Sequence, residues 1–379
     1  MTQAIQSDFL VAAEVVRDEA ARRAAETESA RRVAPELLDM LVDAGFARHL
    51  VPTRWGGRGG SYVELLRAVA TVGEGCASAA WIGAVLAILG RMAAHLPIAA
   101  QEALWQHGPD TRIAASVAPA GRVEVAPGGW RLSGEWTFAS GASDAEWILL
   151  GGMAPGDPRP EYRFFLVPRR HYRVVDTWFN LGLRGTDSNA VVLSDVFVPA
   201  EFSYPNSDLA AGRAPAFADA CHRVPFKAVN GLTFIGPALG AARAAIRVWS
   251  AWIADKRDVT GGRSRDSELV QLALARASAR IDAAWLLSER AAAVADRGDL
   301  TEVEVVRGPR DFSMVADLLV AAMDEIFRMG GARGQADGSV VQRAWRDVHS
   351  AASHFALRFG PNAQAYAAHV FNQMQGAQP

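Results

Sequence analysis

GWRLSGEWTFASGASDAEWILLGGM, residues 129–153, decides how the chain is read. Two runs rich in β-formers, GWRLSGEWTF and EWILLGGM, flank a turn of small and polar residues. The same pattern extends on both sides, through RIAASVAP and RVEVAP before it and YRFFLVP and AVVLSDVFVP after it. From Thr111 to Val198 the chain therefore reads as an all-β unit, a sandwich or a barrel. Outside that unit the apolar period is helical. Leu37, Leu38, Leu41 and Val42 precede a stop at Gly45. SELVQLALARASARIDAAWLLSERAAAVAD and DFSMVADLLVAAMDEIFRMG read as long bundle helices. The expected class is α+β: an N-terminal helical domain (1–108), a central β domain (109–212) and a C-terminal four-helix bundle (213–379), with SDLAAGRAPAFAD as the second connector.

Composition narrows the function classes. A chain of 379 residues with net charge −2 gives no reason to expect a nucleic acid or an anionic membrane as partner. Cys76 and Cys221 are too few for a disulfide framework and lack metal-ligand spacing, which fits a reducing cytoplasm. The opening MTQAIQSDFLVAAEVVRDEAARRAAE mixes acids with apolar residues and reads as an amphipathic helix, not a leader. The uncharged run from Cys76 to Gly90 is too short to cross a bilayer and reads as a buried helix. GGRGG at 56–60 follows no strand, so it is not read as a dinucleotide fingerprint.

The order of blocks resembles the acyl-CoA dehydrogenase superfamily over essentially the whole chain. LVDAGFARHLVPTRWGGRGGSYVELLRAVATVGEGCASAAW resembles its N-terminal helices, LGLRGTDSNAVVLSDVFVP its closing β segment, and RMGGARGQADGSVVQRAWRDVHSAASH its last helices. Within it, ASVAPAGR, WTFASG and WRDVHSAASH resemble the two-component flavin-dependent monooxygenases. Acyl-CoA dehydrogenases carry a carboxylate base near the C-terminus. Here no acid occurs from Ser350 to Pro379.

That resemblance implies diffusible reduced FMN or FAD, O2 as co-substrate, and a separate NAD(P)H:flavin reductase. It implies a C4a-hydroperoxyflavin that hydroxylates a hydrophobic aromatic or heteroaromatic molecule, and an assembly of two or four copies. The competing readings are an acyl-CoA dehydrogenase-like oxidoreductase and a catalytically silent helical scaffold.

Strict strand alternation would put Trp136, Phe138 and Ser140 on one face, the rings walling a flavin and the hydroxyl reaching N5. Gly141 adjoins them, and Ser116 is expected near the same ring or its phosphate. His349 and His354 stand five apart on what reads as one helix, about 140° apart around its axis, so only one can serve the pocket. The resemblance selects His354, with an imidazole of ordinary pKa as acid or base. No metal is expected. Arg263 with Ser264, and Arg333, are candidates for flavin phosphate, Arg333 from a neighbouring subunit. Arg184 is expected to be structural. Trp81, Leu86 and Leu89 are expected to line the substrate pocket, where several relatives carry a phenol-gripping histidine and His95 falls too late to supply one. Trp55, Trp105, Trp249, Trp252 and Trp285 are read as packing residues.

Overall fold

The computed structural model describes residues 7–257 and 261–376, so the first six residues of the amphipathic opening lie outside it. Six helices come first: α1 (Asp8–Arg22), α2 (Ala24–Ala30), α3 (Pro35–Asp43), α4 (Tyr62–Gly75), α5 (Ala77–Ala93) and α6 (Ile98–Trp105). α5 is apolar around its whole circumference apart from Ser78 and Arg91, and 16 of its 17 residues are buried. Such a helix belongs in the centre of a domain. No helix among the described residues is long and apolar enough to cross a membrane.

Two four-stranded sheets follow. Strands β1 (Ile113–Ser116), β4 (Trp147–Ala154), β5 (Glu161–Pro168) and β8 (Ser203–Pro205) form one, in the order β1-β4-β5-β8. Strands β2 (Arg122–Ala126), β3 (Gly129–Ala139), β7 (Asn189–Pro199) and β6 (Arg173–Val175) form the other, in the order β2-β3-β7-β6. Inward side chains including Leu132, Trp136, Ile148, Leu150, Phe165 and Val191 make a core of their own. The β unit is thus a sandwich.

The connector holds a short helix, α7 (Asn206–Ala211), and leads into α8 (Asn230–Asp255), α9 (Glu268–Arg297), α10 (Glu302–Met329), α11 (Gly331–Gln335), α12 (Val340–Ala352) and α13 (Phe359–Gly376). α8, α9, α10 and α12 pack on one another as the bundle. α10 starts on a capping box, with Thr301 and Glu304 each satisfying the other's backbone. The bundle is tied to the N-terminal helices by Asp296 of α9. Its carboxylate accepts from Ser61 Oγ at 2.5 Å, Tyr62 N–H at 2.6 Å and Val63 N–H at 3.1 Å, and so caps α4 from another domain.

Candidate active site

The segment 136–141 does not keep its alternation. β3 pairs with β7 at Trp136 and again at Ala139, with a register shift between, and Phe138 sits at φ 62°. A bulge of this kind turns one side chain out of sequence. Trp136 is fully buried between the sheets and its indole N–H donates to Gly151 O at 2.8 Å. It therefore offers no face to a ligand, which corrects its expected role as a flavin wall. Phe138, by contrast, is 70% exposed, with its ring edge-on to Trp178 at 6.2 Å. Ser116 is buried, and its hydroxyl donates to Thr137 O at 2.7 Å, beside the bulge. Trp136→Phe should cost about 1–3 kcal/mol in unfolding free energy, through lost volume and a lost hydrogen bond. Reduced-flavin affinity should stay unchanged, a pair of results that denaturation and anaerobic titration would check.

Ser140, just past the bulge, is 9% exposed and stands in a directed chain of hydrogen bonds. Thr186 Oγ1 donates to Leu183 O at 2.9 Å. Its single proton being used there, the 2.7 Å contact between Thr186 and Ser188 takes its proton from Ser188. The 2.7 Å contact between Ser188 and Ser140 then takes its proton from Ser140. The indole N–H of Trp81 donates into Ser140 Oγ at 3.1 Å. Ser140 is left with acceptor capacity only. That is a fit test for the flavin implied by the fold: the reduced ring carries an N–H at N5, which an acceptor suits, and the oxidised ring does not.

Trp81, on α5, joins two domains at this point. Its ring lies 5.2 Å from that of Phe234 at the start of α8 and 6.1 Å from that of His354. His354 stacks on Phe234 at 3.6 Å. The helix expected to carry both histidines stops at Ala352, and His354 is instead the N-cap of a 3₁₀ turn, Phe355–Leu357. Its Nδ1 accepts from Ala356 N–H at 3.3 Å, which leaves the proton on Nε2. Burial pushes its pKa down to about 4. The imidazole expected to titrate near neutrality is therefore a neutral N–H donor there. His349 remains on α12, donating to Trp345 O at 2.8 Å and facing Asp324 at 3.3 Å. This is a structural arrangement.

An open cleft adjoins Ser140 and Gly141, lined also by Ile82, Val85 and Leu86 of α5. Its two carboxylates are committed. Asp144 pairs with Arg32, and Asp187 accepts from Ser143 N–H at 2.9 Å and Asn189 Nδ2 at 2.6 Å. Burial raises the Asp187 pKa above its ordinary value. Neither is placed as a free base. Leu89 is buried and does not line the cleft, so of the expected pocket residues Leu86 faces it and Trp81 meets Ser140 directly.

The three phosphate candidates gather elsewhere. Ser264 N–H donates to Lys256 O at 2.8 Å, next to Arg263, which bridges Arg257. Arg333 and Lys256 lie over the Trp252 ring at 5.2 and 5.6 Å. Trp252 follows Phe234 by eighteen residues on α8, about 27 Å along the axis. Ser140 and these arginines therefore lie near opposite ends of α8. Among the described residues no cluster could hold a metal ion. Phe234, Thr186 and Ser188 were not expected. The polar run in RGTDSN signalled the latter two, and nothing in the sequence signalled Phe234.

Comparison with known proteins agrees with this architecture. Residues 10–106 match the family model for the acyl-CoA dehydrogenase N-terminal domain and residues 232–359 that for the C-terminal domain. The chain is 33% identical over 354 residues to the flavin-dependent monooxygenase oxygenase subunit HsaA of Rhodococcus jostii, covering 88% of this chain and 90% of that protein. It is 32% identical over 380 residues to the oxygenase component of an FADH2-dependent resorcinol hydroxylase from a Rhizobium species, covering 94% and 91%. Among solved structures, XiaF from a Streptomyces species, in complex with FADH2 and glycerol, superposes with a TM-score of 0.90 at 25% identity over 96% of this chain and 95% of that one. The chain belongs to the acyl-CoA dehydrogenase superfamily, in its branch of two-component flavin-dependent monooxygenases.

Proposed function

We propose that this protein is an oxygenase component that hydroxylates an aromatic small molecule with O2, using reduced FMN or FAD made by a separate reductase. The observation that carries the reading is the indole of Trp81, which a β-domain hydroxyl and a C-terminal imidazole both meet. Bound reduced flavin supplies the electrons and the oxygen-activating centre. Ser140 Oγ, its own proton directed to Ser188, would accept a hydrogen bond from the N5–H of a bound reduced flavin and so hold that proton on N5. His354, with its proton on Nε2, would serve as a fixed donor to the oxygen species on a bound flavin and would need no proton from solvent. Phe138, exposed on the surface, would offer an aromatic face to a bound cofactor, and Gly141 provides a turn without a side chain beside Ser140. Trp81, Phe234 and Leu86 exclude water with apolar surface and favour an aromatic substrate.

The 27 Å separation supports an assembly in which Arg263, Ser264 and Arg333 of one copy take the flavin phosphate of another, a homodimer or homotetramer. The free, buried Cys76 and Cys221 support a cytoplasmic location. The test is incubation of protein, a phenolic substrate, a flavin reductase and isotope-labelled dioxygen. One labelled oxygen atom per product, dependent on reduced flavin, is expected. Unlabelled product, or bleaching of oxidised flavin by an acyl thioester, would overturn the proposal.

A further inference from the structure

Three buried polar atoms gather away from this site with no partner among the described residues: Arg91 Nη1, His95 Nε2 and the Tyr204 hydroxyl. Arg91 is 0% exposed, His95 6% and Tyr204 2%. The residues that carry them are neighbours. His95 Nδ1 meets Arg91 O at 3.3 Å, and the His95 and Tyr204 rings stack at 5.9 Å. Arg91 Nε donates to Cys221 O at 3.1 Å and Nη2 to Val224 O, with Phe226 over the guanidinium at 5.6 Å. Those bonds pin the connector and account for two of the three guanidinium nitrogens. They leave Nη1 unexplained, and no carboxylate among the described residues balances the charge.

The donor pattern specifies what would fit. A backbone carbonyl only accepts, so His95 carries its proton on Nδ1, and Nε2 is an acceptor. Burial holds this imidazole neutral, with its pKa pushed down to about 3. Arg91 Nη1 only donates, and the Tyr204 hydroxyl does either. A carboxylate would face the His95 lone pair, and an ammonium would face the guanidinium. A hydroxyl satisfies all three, and the adjacent cation favours an acidic one.

The place is also informative. Trp81 and Ile88, seven residues apart, share a face of α5, with Arg91 within about 80° of it, and His95 lies in the turn just past the end of the helix. That face runs from Phe234 beside Trp81 to Phe226 beside Arg91. Trp81 and Arg91 are ten residues apart, about 15 Å along the helix. We infer that Arg91, His95 and Tyr204 form a distal subsite for a phenolic hydroxyl, at the far end of an elongated aromatic substrate whose near end reacts beside Trp81. The inference rests on the monooxygenase reading for the near end alone.

The test compares binding of para,para′-dihydroxystilbene and para-hydroxystilbene to the wild type, Tyr204→Phe and His95→Leu. The wild type should prefer the diol by about tenfold or more, the usual effect of hydrogen bonds to a charged group. Both variants should lose most of that preference and leave the affinity for the monophenol unchanged. Tyr204→Phe should not lower the melting temperature, because it removes a hydroxyl that has no partner in the free protein. Equal affinities in the wild type, no measurable binding of the diol, or a preference that survives both substitutions would overturn the subsite. Labelled-oxygen incorporation into the monophenol is scored separately, so failure of the near-end chemistry is distinguishable from failure of the distal subsite.

Discussion

Between pH 7 and pH 5 the protein is expected to lose stability steeply, by about 2–3 kcal/mol per pH unit below about 6. His49, His95 and His222 are buried, His354 is half-buried against Phe234, and burial lowers the pKa of each of the four from 6.5. Their folded forms stay neutral while the unfolded chain takes up protons below about 6.5. A histidine of depressed pKa therefore contributes stability at neutral pH that is lost as pH falls through the unfolded value. Each is worth up to about 1.4 kcal/mol per pH unit. Asp347 and Asp187 act the other way. Burial raises the Asp347 pKa to about 6, so acid relieves a buried carboxylate there, and Asp187 shifts in the same direction. The histidines outnumber them, and a total stability of about 5–15 kcal/mol leaves little reserve. Denaturant titrations at the two pH values check this. His222→Gln, which keeps a donor for Leu50 O, should flatten the slope by about one proton. A stability independent of pH in this window would mean that the histidines are not buried neutral.

Replacing His354 with alanine is expected to cut product formation by about a hundredfold, the usual loss for one fixed donor to developing negative charge. Reduced-flavin affinity should change little, and the oxygen consumed should appear as hydrogen peroxide. The pH profile separates this role from that of a titrating base. With its pKa pushed down to about 4, His354 keeps one protonation state from neutrality down to the acid limit of the fold. The yield of product per reduced flavin should therefore be flat from about pH 8 to pH 6. A midpoint near 6.5 would mean that the imidazole exchanges its proton with solvent during turnover.

Period and composition carried the sequence reading of the fold because they are local. The largely apolar pattern of α5 and the spaced β runs between Thr111 and Val198 depend on near neighbours and survive tertiary packing. The site depends on contacts that have no local signature. Ser140 was legible from WTFASG, but its partner Trp81 lies 59 residues away. Trp136 and Phe138 were assigned to one face because period two assumes an unbroken ladder, and the bulge before Ala139 sends one inward and the other outward. His349 and His354 were placed on one helix because propensity runs on past Ala352. The structure ends that helix so that His354 can cap the next turn. Arg263 and Arg333 were both legible as turn arginines, but the length of α8 that separates them from Phe234 appears only once the bundle is assembled.

The most direct measurement is product formed per reduced flavin consumed, in the wild type, Ser140→Ala, His354→Ala and the double variant. Two side chains that meet one indole at one reacting centre act as a unit, so their losses should not multiply. The double variant is expected to fall within about twofold of the worse single variant. A double variant showing the full product of the two single losses would place Ser140 and His354 at independent sites.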